Sequence, residues 1–438
     1  MDGYRPEVAG DDEEADVLVV GAGLAGLAAA RTLHRGGLRA LVLESGAEPG
    51  GRLRTDVVDG LRLDRGFQVL NPGYPTLATM VDLEALHLRA YQAGVRVHLG
   101  DRAWVVADPR RVPTAALSSL RAPVGSLRAK AALAALALRV GTGPVRRFLE
   151  EPDRSAAQLF REAGVGDELT ATTLRPFLAG VFLEPDLETS GRYAELVLRS
   201  FVRGSPSLPE RGIGAVPAQL AAGLPAGSVR TGVAVAAVEG GEVRSTDGRR
   251  WTAAAVVVAT DGPSAARLLP AVEVGAGRSV TTWYHLADCD PTDLAGGRPV
   301  ITVDGHARGP VVNTSVVTTV APSYGPPGAV LVSSSVLGTD DSADADQSVR
   351  THLDTLYGVS TTGWRTVRPV VVPWALPAHL PGAGIRRRVR VGPATWACGD
   401  HRDTPSVQGA LVSGRRAARE VLEQLAGRRD GLADAARS

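Results

Sequence analysis

Apolar and polar positions near the start of the chain follow the order strand, helix, strand. Residues 16–20 (DVLVV) form an apolar run that predicts a buried strand, and residues 27–34 repeat apolar side chains at helical spacing. A second apolar run, ALVL, follows and ends at Glu44. This order is typical of a parallel βαβ unit.

The rest of the chain continues the alternation. Helical patterns occupy residues 77–88, 117–149, 160–201, 212–224, 348–357 and 407–425, and strand patterns occupy residues 57–58, 61–64, 229–238, 242–245, 253–259, 367–373 and 395–398. Between residues 280 and 337, runs of Val, Thr and Ser separated by Pro and Gly predict an antiparallel sheet. We therefore expect an α/β fold with a doubly wound Rossmann-type domain (residues 15–75, 205–265 and 392–430) and an inserted α+β domain (residues 76–204 and 266–391).

A glycine-rich turn joins the first strand to the first helix. Its residues are Gly21, Ala22, Gly23, Leu24, Ala25 and Gly26. Gly21 permits a tight turn, Gly23 leaves the backbone bare toward a ligand, and Gly26 lets the helix pack close to the strand. The helix N-terminus offers free N–H groups to phosphates, and Glu44 is placed to accept hydrogen bonds from a ribose diol. The arrangement predicts a dinucleotide site, the alternative being a βα turn without a ligand.

Composition narrows the function. The chain has 438 residues, of which 44% are hydrophobic and 22% charged, and its net charge is +1, so we expect no nucleic-acid partner. Only one of its 48 basic residues, Lys130, is a lysine. Its two cysteines, Cys289 and Cys398, suggest a reducing compartment and form no cluster with zinc spacing, so we expect no metal site.

We expect neither a signal peptide nor a membrane-spanning segment in this sequence. Residues 1–14 are acidic and polar, so we expect a disordered tail without the features of a signal peptide. No apolar run reaches the length of about 18 residues that a bilayer requires, and we expect a cytoplasmic protein. Residues 129–140 (AKAALAALALRV) leave two interpretations open: an interfacial helix in peripheral contact with a membrane, or a buried core helix.

Three sequence blocks resemble the flavin-dependent superfamily of amine oxidases, protoporphyrinogen oxidases and phytoene (carotenoid) desaturases. The first is GAGLAGLAAARTL with Glu44, and the second is GGRLRT followed by DRG at residues 64–66. The third is CGD at residues 398–400, followed by PSVQGA and SG. The stretch LPERGIGAVPAQL is similar to the family's segment before its adenine-contacting strand. The likeness touches nearly the whole chain and is strongest at its two ends.

By that resemblance, the cofactor is FAD, and we expect it to be held non-covalently. The resemblance implies that the glycine turn and Glu44 hold the pyrophosphate and the adenosine ribose. It places Arg52 near the pyrophosphate and the flavin, the backbone of Val233 at the adenine, and Asp400 at the ribityl–pyrophosphate region. A helix beginning near residues 408–410 would stabilise the negative charge of reduced flavin. The predicted cofactor-binding residues are Gly21, Ala22, Gly23, Leu24, Ala25, Gly26, Glu44, Ser45, Gly51, Arg52, Val233, Gly399, Asp400, Gln408, Gly409 and Ala410.

The sequence says less about the substrate and the catalytic residues than about the cofactor. Amine oxidases of this superfamily usually carry a lysine that holds a water near the flavin, and Lys130 matches no such motif. We expect an FAD-dependent oxidoreductase that dehydrogenates (desaturates) an apolar small molecule by hydride transfer to flavin N5. The alternatives are a flavin amine oxidase and a non-catalytic flavin-binding protein.

The sequence does not identify the electron acceptor either. No second dinucleotide fingerprint is present, so we expect no bound nicotinamide and an acceptor that is O2, a quinone or another carrier. No catalytic residue is assigned. Tyr284 and Trp374 are weak candidates for the wall of the substrate cavity.

Overall fold

The structure, a computed structural model, describes residues 15–435, with side chains through residue 427. The predicted tail of residues 1–14 lies outside the described residues. The strands are β1 (Val17–Val20), β2 (Ala40–Leu43), β3 (Thr55–Val58), β4 (Leu61–Asp64), β5 (Arg89–Ala90), β6 (Gly94–Leu99), β7 (Arg102–Ala107), β8 (Ser207–Leu208), β9 (Val229–Arg230), β10 (Val235–Glu239), β11 (Glu242–Ser245), β12 (Arg250–Thr252), β13 (Ala255–Val258), β14 (Gly277–Ala287), β15 (Ile301–Asp304), β16 (Val311–Val316), β17 (Val330–Leu337), β18 (Arg365–Pro377) and β19 (Thr395–Ala397). The α-helices are α1 (Leu24–Arg35), α2 (Leu77–Met80), α3 (Ala116–Arg121), α4 (Leu127–Thr142), α5 (Val145–Glu150), α6 (Ala156–Glu162), α7 (Asp167–Leu169), α8 (Arg175–Phe182), α9 (Gly191–Arg203), α10 (Ala215–Ala222), α11 (Gly262–Leu268), α12 (Val317–Val320), α13 (Ala343–Tyr357) and α14 (Val407–Ala435).

A five-stranded parallel sheet contains the strand that precedes the glycine turn. Its order is β19-β13-β1-β2-β9, so strands from three distant parts of the chain pair side by side. Helices α1, α10 and α14 supply the apolar core on one face, and the three-stranded unit β10-β11-β12 packs on the other face with α11. Burial on both faces explains why β1, β2 and β13 consist wholly of apolar residues.

A seven-stranded sheet forms the second layer of the molecule. Its order is β18-β14-β17-β16-β15-β6-β7. The antiparallel pairing predicted between residues 280 and 337 is present in β14, β16 and β17. However, β15 pairs in parallel with β6, so the sheet is mixed. The structure thus confirms an α/β fold with a parallel Rossmann-like sheet beside a separate mixed sheet; the domain boundaries given above stay a prediction.

Several predicted helices are shorter or more divided than the sequence pattern suggests. The helix predicted over residues 77–88 ends at Met80. The pattern over residues 117–149 divides into α3, α4 and α5, because Pro123 and the pair Gly143 and Pro144 fall inside it. Apolar periodicity alone did not locate these breaks.

Asp64, at the end of β4, ties together three parts of the fold. Its carboxylate accepts hydrogen bonds from the Thr55 hydroxyl (2.5 Å), the Ile213 amide (3.0 Å) and the Tyr324 hydroxyl (2.8 Å). Its carbonyl accepts one from the Tyr284 hydroxyl (2.8 Å). Burial raises the pKa of Asp64 to about 6, although these hydrogen bonds favour the ionised form. The network fixes the β3–β4 hairpin between the two sheets.

Candidate functional site

A cavity of about 560 Å³ lies between the two sheets and runs from the glycine turn to the seven-stranded sheet. It brings together most of the residues predicted to bind a cofactor. Those that line it are Gly21, Gly23, Leu24, Ala25, Glu44, Ser45, Gly51, Arg52, Gly399, Asp400 and Ala410. Those that do not are Ala22, Gly26, Val233, Gln408 and Gly409. All three sequence blocks therefore meet at one site, although the third block lies more than 300 residues after the first two.

The three glycines of the turn have different surroundings. Gly21 has a φ of +102°, which side-chain-bearing residues rarely adopt. A Cβ on Gly26 would lie 1.9 Å from the Gly21 carbonyl oxygen, so α1 could not approach β1 as closely. A Cβ on Gly23 would meet no heavy atom within 4 Å and would project into open space. Gly21 and Gly26 thus build the turn, whereas Gly23 leaves room for a ligand.

The N-terminus of α1 directs amide N–H groups that have no intrahelical acceptor at the open space beside Gly23. Its N-cap is Gly23, which provides no side-chain cap, and the first turn contains no acidic residue. The leading amides of a helix have no intrahelical acceptor and carry the positive end of the dipole. Leu24 and Ala25, the first residues of α1, line the cavity. This cradle suits the diphosphate of a dinucleotide.

Glu44 holds the loop as well as facing the cavity. Its carboxylate accepts hydrogen bonds from the Ala22 amide (2.7 Å) and the Gly46 amide (2.7 Å). The Val233 amide donates to the Glu44 carbonyl (2.8 Å). Consequently the N–H of Val233 is already engaged, and only its carbonyl remains a candidate for the predicted adenine contact.

A buried ion pair joins the second and third blocks. The Arg52 guanidinium donates to the Asp400 carboxylate (2.7 Å) and to the Ala375 carbonyl (2.7 Å). The Asp400 side chain is 5% exposed and that of Arg52 is 29% exposed. Burial alone would lower the pKa of Arg52, but Asp400 outweighs it and the net shift is upward. Asp400 and the Ala375 carbonyl therefore fix the position of the Arg52 guanidinium at the cavity wall.

The residues at the start of α14 make local hydrogen bonds. The Gly409 amide donates to the Ser406 hydroxyl (3.0 Å), and the Ala410 amide donates to the Ser406 carbonyl (2.9 Å). The Gln408 side chain is engaged with Thr76. The amides of Gly409 and Ala410 are thus engaged within the helix start, and the predicted role of residues 408–410 toward the flavin stays a prediction. The dipole of α14 is still directed at the cavity, because Ser406 and Val407 line it.

The far wall of the cavity is apolar and aromatic, with a few uncharged polar groups. Helices α8 and α9 contribute Phe177, Tyr193 and Phe201, and the seven-stranded sheet contributes Asn313 and Ser335. Sequence patterns did not identify these residues, because an apolar helical repeat does not show which side faces a cavity. No charged side chain of the described residues in α8, α9 or this sheet lines the cavity.

The prediction that Tyr284 and Trp374 line the wall of the substrate cavity was wrong. Tyr284 is buried beneath the site, where its hydroxyl donates to Asp64. The Trp374 ring lies against Gly262 and Gly277, where a Cβ would be 3.1 and 2.1 Å from ring atoms. Both aromatic side chains therefore serve packing.

Lys130 and Cys398 lie outside the cavity. The Lys130 ammonium donates to the carbonyls of Leu120 (2.8 Å) and Ala122 (2.7 Å) at the end of α3. Cys398 is fully buried, and burial raises the pKa of its thiol to about 12. A protonated, buried thiol is a poor nucleophile. Among the described side chains of residues 15–427, no group of three or more His, Cys, Asp or Glu residues is placed to hold a metal ion.

These residues fit FAD. The open space at Gly23, the uncapped start of α1 and the carboxylate of Glu44 suit a diphosphate and a ribose. The start of α14 provides positive potential further along the cavity, where the pair of Arg52 and Asp400 also lies. The aromatic wall leaves an apolar compartment beyond them.

Comparison with known proteins agrees with this assignment. A family model described as flavin containing amine oxidoreductase matches residues 24–422. Putrescine oxidase of Kocuria rosea is 42% identical over 98 residues, which is 22% of this chain and 20% of that protein. The matched stretch thus spans only a fifth of that relative.

Solved structures share the fold over nearly the whole chain. Putrescine oxidase bound to putrescine superposes with a TM-score of 0.68 at 18% identity, covering 93% of this chain and 99% of that one. An oxidoreductase from Methanosarcina mazei superposes with a TM-score of 0.70 at 18% identity, covering 92% and 99%. At this identity, the likeness shows the fold.

Proposed function

The chain belongs to the flavin containing amine oxidoreductase family, a family of FAD-dependent oxidoreductases, and we propose that it dehydrogenates an uncharged, largely apolar small molecule. The observation that carries the proposal is the wall opposite the cofactor cradle. This wall combines Phe177, Tyr193 and Phe201 with uncharged polar groups. FAD, when bound, accepts a hydride at N5.

The chain's own contribution is to bind, orient and exclude water. An aromatic wall favours a rigid apolar substrate and keeps water from the reacting carbon. Hydride removal needs close alignment of substrate and cofactor more than an acid–base pair, and alignment alone lowers a barrier by several kcal/mol. The dipole of α14 favours an electron-rich cofactor ring.

Amine oxidation is the second candidate, because the family and the Kocuria relative favour it. The cavity contains carboxylates only at Glu44, Asp261 and Asp400 among the described residues that line it. Glu44 binds loop amides, Asp261 caps α11, and Asp400 pairs with Arg52. None of them lies on the far wall, where an ammonium group would need a counter-charge.

Flavin reduction by neutral compounds and by amines, in the wild type and in Lys130→Met, separates the two functions. We expect the variant to retain wild-type rates of anaerobic flavin reduction, because the Lys130 ammonium bonds only to the end of α3. Stopped-flow absorbance with a panel of neutral apolar compounds and primary amines measures those rates. A large loss of reduction with FAD still bound would revive a lysine-dependent amine oxidase. Reduction by amines and by no neutral compound would also overturn the proposal.

We also propose peripheral contact with a membrane through α3 and α4. Ala129, Leu136 and Val140 of α4 are buried, so the core interpretation accounts for one side of the helix. The opposite side carries exposed apolar residues at helical spacing. These residues are Leu127, Ala131, Ala134 and Leu138 on α4, with Leu117 and Leu120 on α3. Among residues 15–435, no helix is both long enough and apolar enough to cross a bilayer.

The exposed leucines of α3 and α4 lie in a basic part of the chain, which supports the proposal. Residues 102–147 contain nine basic residues and one acidic residue. Exposed leucines beside basic side chains suit the interface of an anionic bilayer, where each basic residue adds roughly 1 kcal/mol. An apolar substrate dissolved in lipid would then be available near the protein.

Vesicle binding tests this contact. The protein should sediment with vesicles that contain phosphatidylserine, and it should do so more weakly at high salt. A triple variant that combines Leu120→Gln, Leu127→Gln and Leu138→Gln should not bind the vesicles. Leu380→Gln, at an exposed leucine outside α3 and α4, is the control. Absence of sedimentation, or equal sedimentation of the triple variant, would show that these helices do not bind lipid.

A further inference from the structure

Two buried side chains on the far wall each carry a polar atom that has no hydrogen-bond partner among the described residues. Asn313 is 5% exposed and Ser335 is 1% exposed. Both line the cavity. The Asn313 side-chain oxygen and the Ser335 hydroxyl find no partner among the described residues. Such groups are uncommon in native proteins, because each unmet hydrogen bond costs free energy.

The sheet places these two groups side by side. Asn313 on β16 and Ser335 on β17 are direct partners in the antiparallel register. Directly opposed side chains lie on the same face of a sheet with Cβ atoms about 5 Å apart. One small polar group could therefore contact both at once.

Helix α8 makes room for the amide. A Cβ on Gly180 would lie 2.1 Å from the Asn313 side-chain nitrogen. Glycine inside a helix costs roughly 1 kcal/mol relative to alanine. The chain therefore carries an unfavourable helix residue at the point where it accommodates Asn313, which indicates that the position of this amide matters.

We propose that Asn313 and Ser335 bind an uncharged substrate group that both donates and accepts a hydrogen bond, namely a hydroxyl or a carboxamide. The group donates to the Asn313 oxygen and accepts from the Ser335 hydroxyl. An ammonium group fits poorly, because no described carboxylate of α8, α9 or the seven-stranded sheet lines the cavity to balance its charge. This inference rests on the proposed function and names the substrate feature that fixes orientation.

Binding to the FAD-loaded protein tests the inference without turnover. Four probes of similar shape are benzyl alcohol, benzamide, benzylammonium and toluene, and the perturbation of the flavin absorbance spectrum under anaerobic conditions reports their affinities. Benzyl alcohol or benzamide should bind roughly tenfold more tightly than toluene, in line with satisfying two buried groups. The tighter of these two identifies the substrate group.

Three variants should erase that preference. Asn313→Leu and Ser335→Ala remove one partner each, and Gly180→Ala displaces the amide while favouring the helix. Ser333→Ala is the matched control, two residues away on the same face of β17 but not lining the cavity. Toluene affinity should stay within twofold of wild type in all four, which also reports that the cavity is intact.

The inference would be overturned by a toluene affinity equal to that of benzyl alcohol and benzamide, or by a preference that survives in Asn313→Leu. Tightest binding of benzylammonium would also refute it. The proposed function can fail separately. If the preference is found but no neutral compound reduces the flavin, the polar pair stands and the dehydrogenase does not.

Discussion

The Gly23→Val variant is expected to fold and to purify without FAD. A Cβ at Gly23 meets no heavy atom within 4 Å, and the φ of −72° and ψ of 178° suit a valine, so the fold has no reason to reject it. The valine methyl groups would occupy the space in front of the first amides of α1. We expect FAD to bind at least a hundredfold more weakly, a loss of about 2.7 kcal/mol or more.

The control for this variant is Gly275→Val. Gly275 also has open space around its Cβ position, but it does not line the cavity. Gly275→Val should keep its FAD, and the two variants should melt at similar temperatures once the cofactor is removed. Wild-type FAD retention by a folded Gly23→Val protein would show that the diphosphate does not lie at α1.

Arg52→Met is expected to lower the free energy of unfolding by about 2–3 kcal/mol. Removing one member of a fully buried ion pair typically costs about 3–5 kcal/mol, because the remaining charge has no partner. The expected loss is smaller here because the Arg52 side chain is 29% exposed. Urea unfolding of the FAD-loaded protein, followed by tryptophan fluorescence, measures the change, and FAD retention should fall with it.

Arg54→Met provides the comparison within the same turn. Arg54 contacts Glu48 at 3.6 Å, and the Glu48 side chain is 74% exposed. Such a pair contributes less than about 1 kcal/mol. Equal destabilisation by both substitutions would mean that the pair of Arg52 and Asp400 has no special role in joining the two blocks.

Local sequence identified the cofactor end of the site. Gly21 and Gly26 act through backbone geometry within one turn, and Glu44 acts through amides of adjacent loops, so short motifs contain the necessary information. The family match over residues 24–422 confirms the resemblance that those motifs indicated. The roles of the individual residues toward FAD stay predictions.

The substrate end could not be predicted in the same way. Phe177 and Phe201 belong to apolar helical repeats, and only packing against the seven-stranded sheet decides which of their faces lines the cavity. The pairing of β15 with β6 joins segments about 200 residues apart, which no local pattern specifies. The predictions for Tyr284 and Trp374 failed for the same reason. Distant residues decide where each side chain lies: Asp64 for Tyr284, and two glycines for Trp374.

Identification of the bound cofactor tests the central claim most directly. The purified protein should be yellow, and acid precipitation should release close to one FAD per chain into the supernatant, because the buried thiol of Cys398 lies outside the cavity. Chromatography against an FAD standard measures that amount. Colourless protein that takes up no added FAD, or a pellet that retains the yellow colour after precipitation, would contradict the account.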